Sequence, residues 1–447
     1  MNRRIPTAVA GLMILVLAAG GCSRPPDLGE IETAFAPGTA GAGAGRVDDS
    51  LAGTAFGQRI ARAIAESPEL ARSTARLRMA RAELRGASGA FLPEISLGAS
   101  AETRSLGGAQ SSSASPYLKV SQLVYDGGAA ASARTAARAR VFETRGTRLE
   151  VVSAATLKAV ETYHAVRTRR RLLDLANDNL SVLETVAGQI GGRVAGGLGA
   201  QTDMLTARSR LADARTRRID AQARLDRAAA EYRRIFGQPP DDLPPPQPAP
   251  ALPADAEAVI AQSPRVRSID ARLMAARAEL AAARARRLPS VSLEATGQRT
   301  DGEGDVSLGL SLNYALDSAG KRAAAITAAQ ARIEEIAADR RALRREIRQA
   351  LDFVRSDQQA GAARVAAARA AVEANARNVA AARDQFTVGR SSLIQILDAQ
   401  RDYVAARETL ILAEQDRALT DFAALALTGD ILDTFRITLP QLPGGAS

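Results

Sequence analysis

SPELARSTARLRMARAELRGASGAFLPEISLGA, residues 67–99, comes back at residues 263–295 as SPRVRSIDARLMAARAELAAARARRLPSVSLEA. The two stretches align without a gap and agree at close to half of their positions. Both open Ser-Pro. Ala75-Arg76-Leu77 matches Ala271-Arg272-Leu273, and Ala80 to Leu84 matches Ala276 to Leu280. Both then reach Leu-Pro, at Leu92-Pro93 and Leu288-Pro289, followed by Ser-Leu. A second echo lies further on: Gly197 with Leu205-Thr206-Ala207 has the spacing of Gly389 with Leu397-Asp398-Ala399. The chain is therefore two copies of one plan. Prolines crowded between Pro239 and Pro253 mark an extended linker between them.

Each copy predicts the same order of elements. Ser67-Pro68 suits a helix start, with Ser at the cap and Pro in the first turn, where its missing N–H costs nothing. The helix stops by Pro93. Ile95, Leu97, Ala99 and Ala101 then alternate with Glu94, Ser96, Gly98, Ser100 and Glu102, which is a half-buried strand signal. Val291, Leu293 and Ala295 alternate in the second copy, and Val306, Leu308, Leu310 and Leu312 give its returning strand. The returning strand of the first copy, Tyr117 to Leu123, is less regular. After each strand pair a turn (Asp126-Gly127-Gly128, Asp317-Ser318-Ala319-Gly320) precedes a long helix. The second long helix is proline-free from Lys321 to Phe386, about 100 Å at the helical rise. Val365, Val372, Val379 and Phe386 recur every seventh residue along it, a coiled-coil pattern. The short helices of a copy add up to the length of its long one, so they are expected to stack end to end beside it. The expected division is 1–22 export signal, 23–55 extended segment, 56–238 first repeat, 239–255 linker, 256–430 second repeat and 431–447 tail.

The N-terminus reads as an export signal: Arg3 and Arg4, an apolar stretch to Ala18, then small residues before Cys22. That stretch is too short for a spanning helix. Cys22 is the one cysteine of the chain, so it has no internal disulfide partner. The segment resembles a bacterial lipoprotein box, which implies a lipid on Cys22 and, with Ser23 following, transfer to the outer membrane. The net charge is +10, but arginines interleave with acids along the helices, as in Arg76, Arg78, Arg81, Glu83 and Arg85, the look of a solvated face. With aromatics at 3% and no Trp, no stacking platform for nucleic acid is offered. The low aromatic and high alanine content favours long, closely packed helices.

Four amphipathic strands per chain are too few to close a barrel, and an open sheet edge cannot face lipid. Three chains would supply twelve strands, within the known range. The alternation alone leaves a small soluble sheet equally open. Across nearly its whole mature length the chain resembles the TolC family. The markers are the duplicated halves, the Ser-Pro…Leu-Pro start of each, the run Phe386-Thr387-Val388-Gly389-Arg390-Ser391-Ser392-Leu393-Ile394-Gln395-Ile396-Leu397-Asp398-Ala399-Gln400, and the ending Ala423-Ala424-Leu425-Ala426-Leu427-Thr428-Gly429. The resemblance implies a mainly α fold with β: a homotrimeric α-helical barrel of long coiled-coil helices across the periplasm, topped by a 12-stranded transmembrane β-barrel in outer-membrane lipid, four strands per chain. It implies docking to a periplasmic adaptor (membrane fusion) protein and an inner-membrane ABC or RND pump. It implies an export channel, with type I protein secretion favoured over drug or metal efflux on the likeness of Leu393 to Asp398 and of the Ala-Leu-Thr-Gly ending. The lipoprotein box pulls toward efflux. A structural periplasmic coiled-coil lipoprotein without a pore is the alternative.

In that family the two helix turns form the tunnel entrance, held by polar links and narrowed by carboxylate rings. Thr202 and Asp203 match acceptor positions on the first turn, and Asp398 matches one ring aspartate. Gln395 stands where a second aspartate occurs, Phe386 where a tyrosine does and Ser391 where an arginine does; Arg390 is a candidate substitute. Asp203 and Asp398 equally suit the N-terminal ends of their helices on dipole grounds alone. Gly197 and Gly389 mark the turn tips, where positive φ is expected. No catalytic residue, metal site or cofactor is expected. The single histidine, His164, sits in a helical run without a cysteine partner and reads as a helix-surface or packing residue, and the glycines from Gly191 to Gly199 lack the strand and Gly-Lys-Ser/Thr of a phosphate loop.

Overall fold

The computed structural model describes residues 25–36, 47, 49–106, 109–197, 199–251, 255–300, 303–388 and 390–439. Ten helices and four strands follow in order among them: α1 Gly29–Ala34, α2 Ala55–Ala65, α3 Pro68–Gly89, β1 Glu94–Leu106, β2 Ala109–Tyr125, α4 Ala129–Ala195, α5 Gln201–Phe236, α6 Ala256–Gln262, α7 Pro264–Ala285, β3 Ser290–Thr300, β4 Glu303–Asn313, α8 Lys321–Thr387, α9 Leu393–Thr428 and α10 Ile431–Thr434. Segment 23–55, expected to be extended, instead contains α1 and a tight helical turn at Ser50–Gly53. Leu28 and Ile31 are buried against Ala139, Phe142, Ala271 and Ala275, so a short helix forms where it has an apolar groove to fill.

The caps expected at the repeat start are present once. Ser67 accepts a hydrogen bond from the Leu70 N–H at 3.2 Å. Ser263 instead turns its hydroxyl to the Leu427 carbonyl at 3.2 Å, joining the start of the second copy to its end. The long helices α4 and α8 contain 67 residues each, about 100 Å. The short helices lie end to end beside them. On α4, the α3 residues Leu77 and Ala80 meet Val141 near its start, while the α5 residues Ala207 and Ala214 meet Leu183, Val186 and Ile190 near its end. On α8, α7 meets Ile336 through Leu273 and Ala276, and α9 meets Val379 and Ala382 through Ile396 and Ala399.

Six of the larger aromatic side chains gather at mid-height, where the linker crosses. Phe56 of α2 sits edge-on to Tyr163 of α4 with ring centroids 4.8 Å apart, Tyr232 stacks on Phe236 at 4.1 Å, and Phe422 stacks on Phe435 at 5.9 Å. Ile60, Ile64, Val160, Leu425 and Ile431 complete this girdle. The proline-rich linker is strapped onto it by side chains of the first copy. Tyr163 Oη donates to the Pro244 carbonyl at 2.6 Å, Arg167 to that of Leu243 at 2.6 Å, Arg59 to that of Asp242 at 2.5 Å, and Arg170 to that of Pro240. His164 is buried in the girdle against Phe56 and Phe422, each 6.1 Å away, and its Nε2 has no hydrogen-bond partner. Burial, assisted by the Arg167 charge, pushes its pKa down to about 4, so it is held neutral.

Candidate functional site

The four strands form one antiparallel sheet in the order β1-β2-β3-β4, leaving β1 and β4 as edges. The hairpins of the two copies meet in its middle, where Val120 faces Ala295 and Leu118 faces Gly297. Strand β2 extends well beyond the expected Tyr117 to Leu123. Its register shifts between Leu123 and Tyr125, which accounts for the irregular pattern in the sequence. Cross-strand register sorts the side chains into two faces. Ile95, Leu97, Leu118, Val120, Leu293, Ala295, Val306, Leu308, Leu310 and Leu312 share one. Leu97 is 83% and Val306 82% exposed, and Leu308, Leu310 and Leu312 are exposed as well, so among the described residues this face is uncovered except at Val291, which is buried beside the helices. Ser96, Lys119, Ser121, Glu294, Thr296, Ser307 and Ser311 share the other, where Lys119 and Glu294 pair at 3.0 Å. Among the described residues no helix is long and apolar enough to cross a membrane.

At the opposite end of the helices lie the two turns. In the first, Gly197 adopts φ +77°, and its N–H bonds the Val194 carbonyl at 3.0 Å. A side chain there would be strained, so glycine ends α4 cleanly. Thr202 and Asp203 fall in the first turn of α5, with Thr202 exposed and Asp203 half-buried. In the second turn, the Arg390 N–H reaches back to the Gln385 carbonyl at 2.8 Å. Ser392 then caps α9. The Gln395 N–H donates to its hydroxyl at 3.4 Å, and Gln395 Oε1 accepts from the Ser392 N–H at 3.0 Å and the Ser391 hydroxyl at 2.8 Å. This reciprocal box stabilises the helix start by about 1 kcal/mol. Gly389 and Cys22 lie outside the described residues.

The structure brings both turns to one end through a shared apolar cluster. Leu183, Val186 and Ile190 of α4, Ala207 of α5, and Leu393 and Leu397 of α9 are buried together, with Phe386 packed at the margin. The Arg193 guanidinium lies 5.0 Å from the centre of the Phe386 ring, worth about 0.5–1 kcal/mol at such a wet site. The polar bonds that Ser391, Gln395 and Asp398 make run within their own hairpin. Asp398 pairs with Arg401 at 3.2 Å, and Arg401 also holds Asp402 at 3.0 Å. One guanidinium thus serves two carboxylates, and a negative charge is left over on this face.

The sequence reading missed a polar crosspiece one turn further along. Gln400, 5% exposed, donates to Asn179 Oδ1 of α4 at 3.1 Å and accepts from Arg383 of α8 at 3.3 Å. Three helices are joined at one amide. The signal was present: Gln400 continues the apolar stripe Leu393, Ile396, Leu397, and Asn179 interrupts Leu175, Leu183, Val186 and Ile190. Below the girdle, Arg171 and Arg369 both reach Glu414, at 2.8 and 3.6 Å.

Two long helices doubled by short ones, an uncovered apolar sheet at one end and paired turns at the other define a channel fold of the bacterial envelope. The chain belongs to the outer membrane efflux protein family, whose sequence pattern matches residues 60–238 and 256–429. It is 25% identical over 344 residues to outer membrane efflux protein BepC of Brucella suis biovar 1 (strain 1330), spanning 73% of each chain. Its fold matches the outer-membrane channel OprN with a TM-score of 0.78 at 20% identity, covering 91% of this chain and 99% of that one. It matches CusC with a TM-score of 0.76 at 19% identity, covering 83% of this chain and 91% of that one. The family consists of outer-membrane efflux channels that work with adaptor and pump partners, not of enzymes.

Proposed function

We propose that three copies of the chain form one passive duct, with their sheets closed into a twelve-stranded barrel in the outer membrane and their helices enclosing a tunnel across the periplasm. The apolar sheet face carries this reading. Leucines, isoleucine and valine stand exposed beside two unpaired strand edges, and both liabilities vanish if the edges of neighbouring copies pair and the apolar face meets lipid. The polar face, with Lys119, Glu294 and the serines, then lines water. The repeats, at 56–238 and 256–430 around the 239–255 linker, supply two strands and one helix turn each.

Cys22 is the proposed lipid anchor. Gly29 begins a helix seated against α4 and α7 below the sheet. The intervening residues reach at most about 25 Å, enough to return to the bilayer. The turns form the entrance. Asp398 of three copies supplies a carboxylate ring, with Asp203 and Thr202 on the outer tip and Phe386 and Arg390 between the hairpins. Ser391 and Gln395 are committed to capping α9, so the closing contacts are assigned to positions other than these two. Among pumps, a type I secretion exporter is favoured by the Leu393 to Asp398 run. The Ala-Leu-Thr-Gly ending has a structural duty of its own: Gly429 takes φ +84° against the Pro264 ring, where an added side chain would clash.

Reconstitution into planar bilayers tests the duct. Trimers that dissociate only on heating and conduct ions are expected; a monomer without conductance would remove the proposal. Asp398→Asn is expected to lower cation preference or divalent-cation block, and an unchanged reversal potential would sink the ring assignment. Crosslinking in cells that hold both an ABC exporter and a proton-driven pump would tell which one the tip engages.

A further inference from the structure

One charge stands on the apolar face of the sheet. Among the described residues of that face, Arg299 is the only ionised side chain, and it is exposed. It lies at the far end of β3, paired with Gly304. From Ser290, beside the helices, to Arg299 the strand runs about 30 Å, or a little over 20 Å of height at the tilt of a barrel strand. The lipid-facing band of such barrels is about 25 Å tall. An arginine facing lipid at the midplane would be costly, whereas at the rim it reaches the phosphate layer. The position therefore matches the outer-leaflet headgroups.

Beside Arg299 the apolar face of the sheet dips. A shallow depression of about 430 Å³, open to the surroundings, is lined by Leu97, Pro116, Leu118, Gly297, Arg299 and Val306, all on the apolar face by register. Two glycines make it. A side chain at Gly297 or Gly304 would enter open space with nothing within 4 Å, so the face lacks the bulk that Leu293 and Leu308 give it lower down. Tyr117, Gln298 and Asp305 border the depression from strands whose side chains at those positions belong to the other face. An apolar groove of this size ending in one guanidinium matches an acyl chain lying below a headgroup that carries a phosphate. Arginine grips phosphate with paired donors, which lysine cannot do.

We propose that this depression is a lipid site: an acyl chain of an outer-leaflet lipid that bears a phosphomonoester, unlike the choline-blocked phosphodiester of phosphatidylcholine, lies over Gly297 and Gly304, and its phosphate sits on Arg299. The proposal rests on the membrane-facing reading of the sheet given above. Its test is native mass spectrometry of the full chain in detergent, titrated with diphosphoryl lipid A, with phosphatidylcholine and with inorganic phosphate. Wild type is expected to keep lipid A adducts at collision energies that strip phosphatidylcholine, with no retention of phosphate alone. Arg299→Gln is expected to cut retained lipid A at least about fivefold and leave phosphatidylcholine unchanged. Gly297→Leu, which fills the groove and spares the charge, is expected to cut it comparably. Arg218→Gln, on the exposed face of α5, is the control and is expected to change nothing. Equal lipid A retention in wild type and Arg299→Gln, or equal retention of inorganic phosphate, would overturn the site. Bilayer conductance measured on the same samples separates the two readings. A conducting protein with indifferent lipid binding loses only the lipid site, whereas one that neither inserts nor conducts loses the pore.

Discussion

At mid-height, Phe56, Tyr163, Tyr232, Phe236, Phe422 and Phe435 fill the space between helices; at the turns, α4, α5 and α9, three of the helices that supply those rings, meet again through Leu183, Val186, Ile190, Ala207, Leu393 and Leu397. The chain has only nine Phe and six Tyr, so concentrating six of these rings at one level is a marked investment. Interlocked rings of irregular shape admit one arrangement, because a dense core resists small displacement. A seam of leucine, valine and alanine with one polar crosspiece has shallower ridges and fewer contacts to lose when it shifts. The comparison assigns rigidity to the girdle and freedom to the tip, as a duct with a fixed wall and a working entrance would need.

Breaking the girdle should cost most. Phe56→Ala removes a ring that touches Tyr163, Phe422 and Phe435 and is expected to destabilise the fold by about 3–5 kcal/mol, read as a lower melting temperature of the whole protein. The girdle should also fail first in acid. His164 has a folded pKa of about 4 against 6.5 for the free side chain. The unfolded chain therefore binds the proton more readily between those values. Its contribution is unchanged above pH 6.5 and is lost as pH falls toward 4, by up to about 3 kcal/mol. Urea midpoints measured across that window should fall, and His164→Phe should flatten the slope.

At the tip the expected effects are smaller and more local. Asn179→Leu leaves the Nε2 of the buried Gln400 without its partner, at about 1–3 kcal/mol, and Gln400→Leu costs less because the Asn179 it deserts is only half-buried, while the double replacement should recover most of the Asn179→Leu loss. A double-mutant cycle on the unfolding midpoint checks it; additive losses would show that the two amides are not coupled. Ser392→Ala removes one side of the capping box and should cost about 1 kcal/mol, seen as faster amide hydrogen exchange confined to the first turn of α9. If exchange instead quickened along the girdle, the division between the two regions would be wrong.

The fold was legible because its signals repeat. Ser-Pro, Leu-Pro, alternating strands and a proline-free run of coiled-coil spacing appear twice, so each copy checks the other. The α1 helix was not legible, since Gly29–Ala34 has too few residues for periodicity and depends on a groove made by Ala139, Ala271 and Ala275. At the turns, matching positions named residues but not their bonds. Gln395 reads as a substituted ring position, and only the geometry shows its amide oxygen held by Ser391 and Ser392. Gln400 and Asn179 were missed because each is a solitary polar residue in its own stripe. Their pairing joins residues 221 positions apart.

The strap over the girdle bears on the order in which the molecule is made. Every side chain found gripping its carbonyls, Arg59, Tyr163, Arg167 and Arg170, precedes it in the chain. Proline has no N–H, so Pro239 to Pro253 is poorly able to pair with a stray strand while it waits. The first repeat can therefore bind its own exit segment before the second has been translocated. The strap then works as a starting line: it fixes where the second copy begins and on which side of α4 it must be laid down.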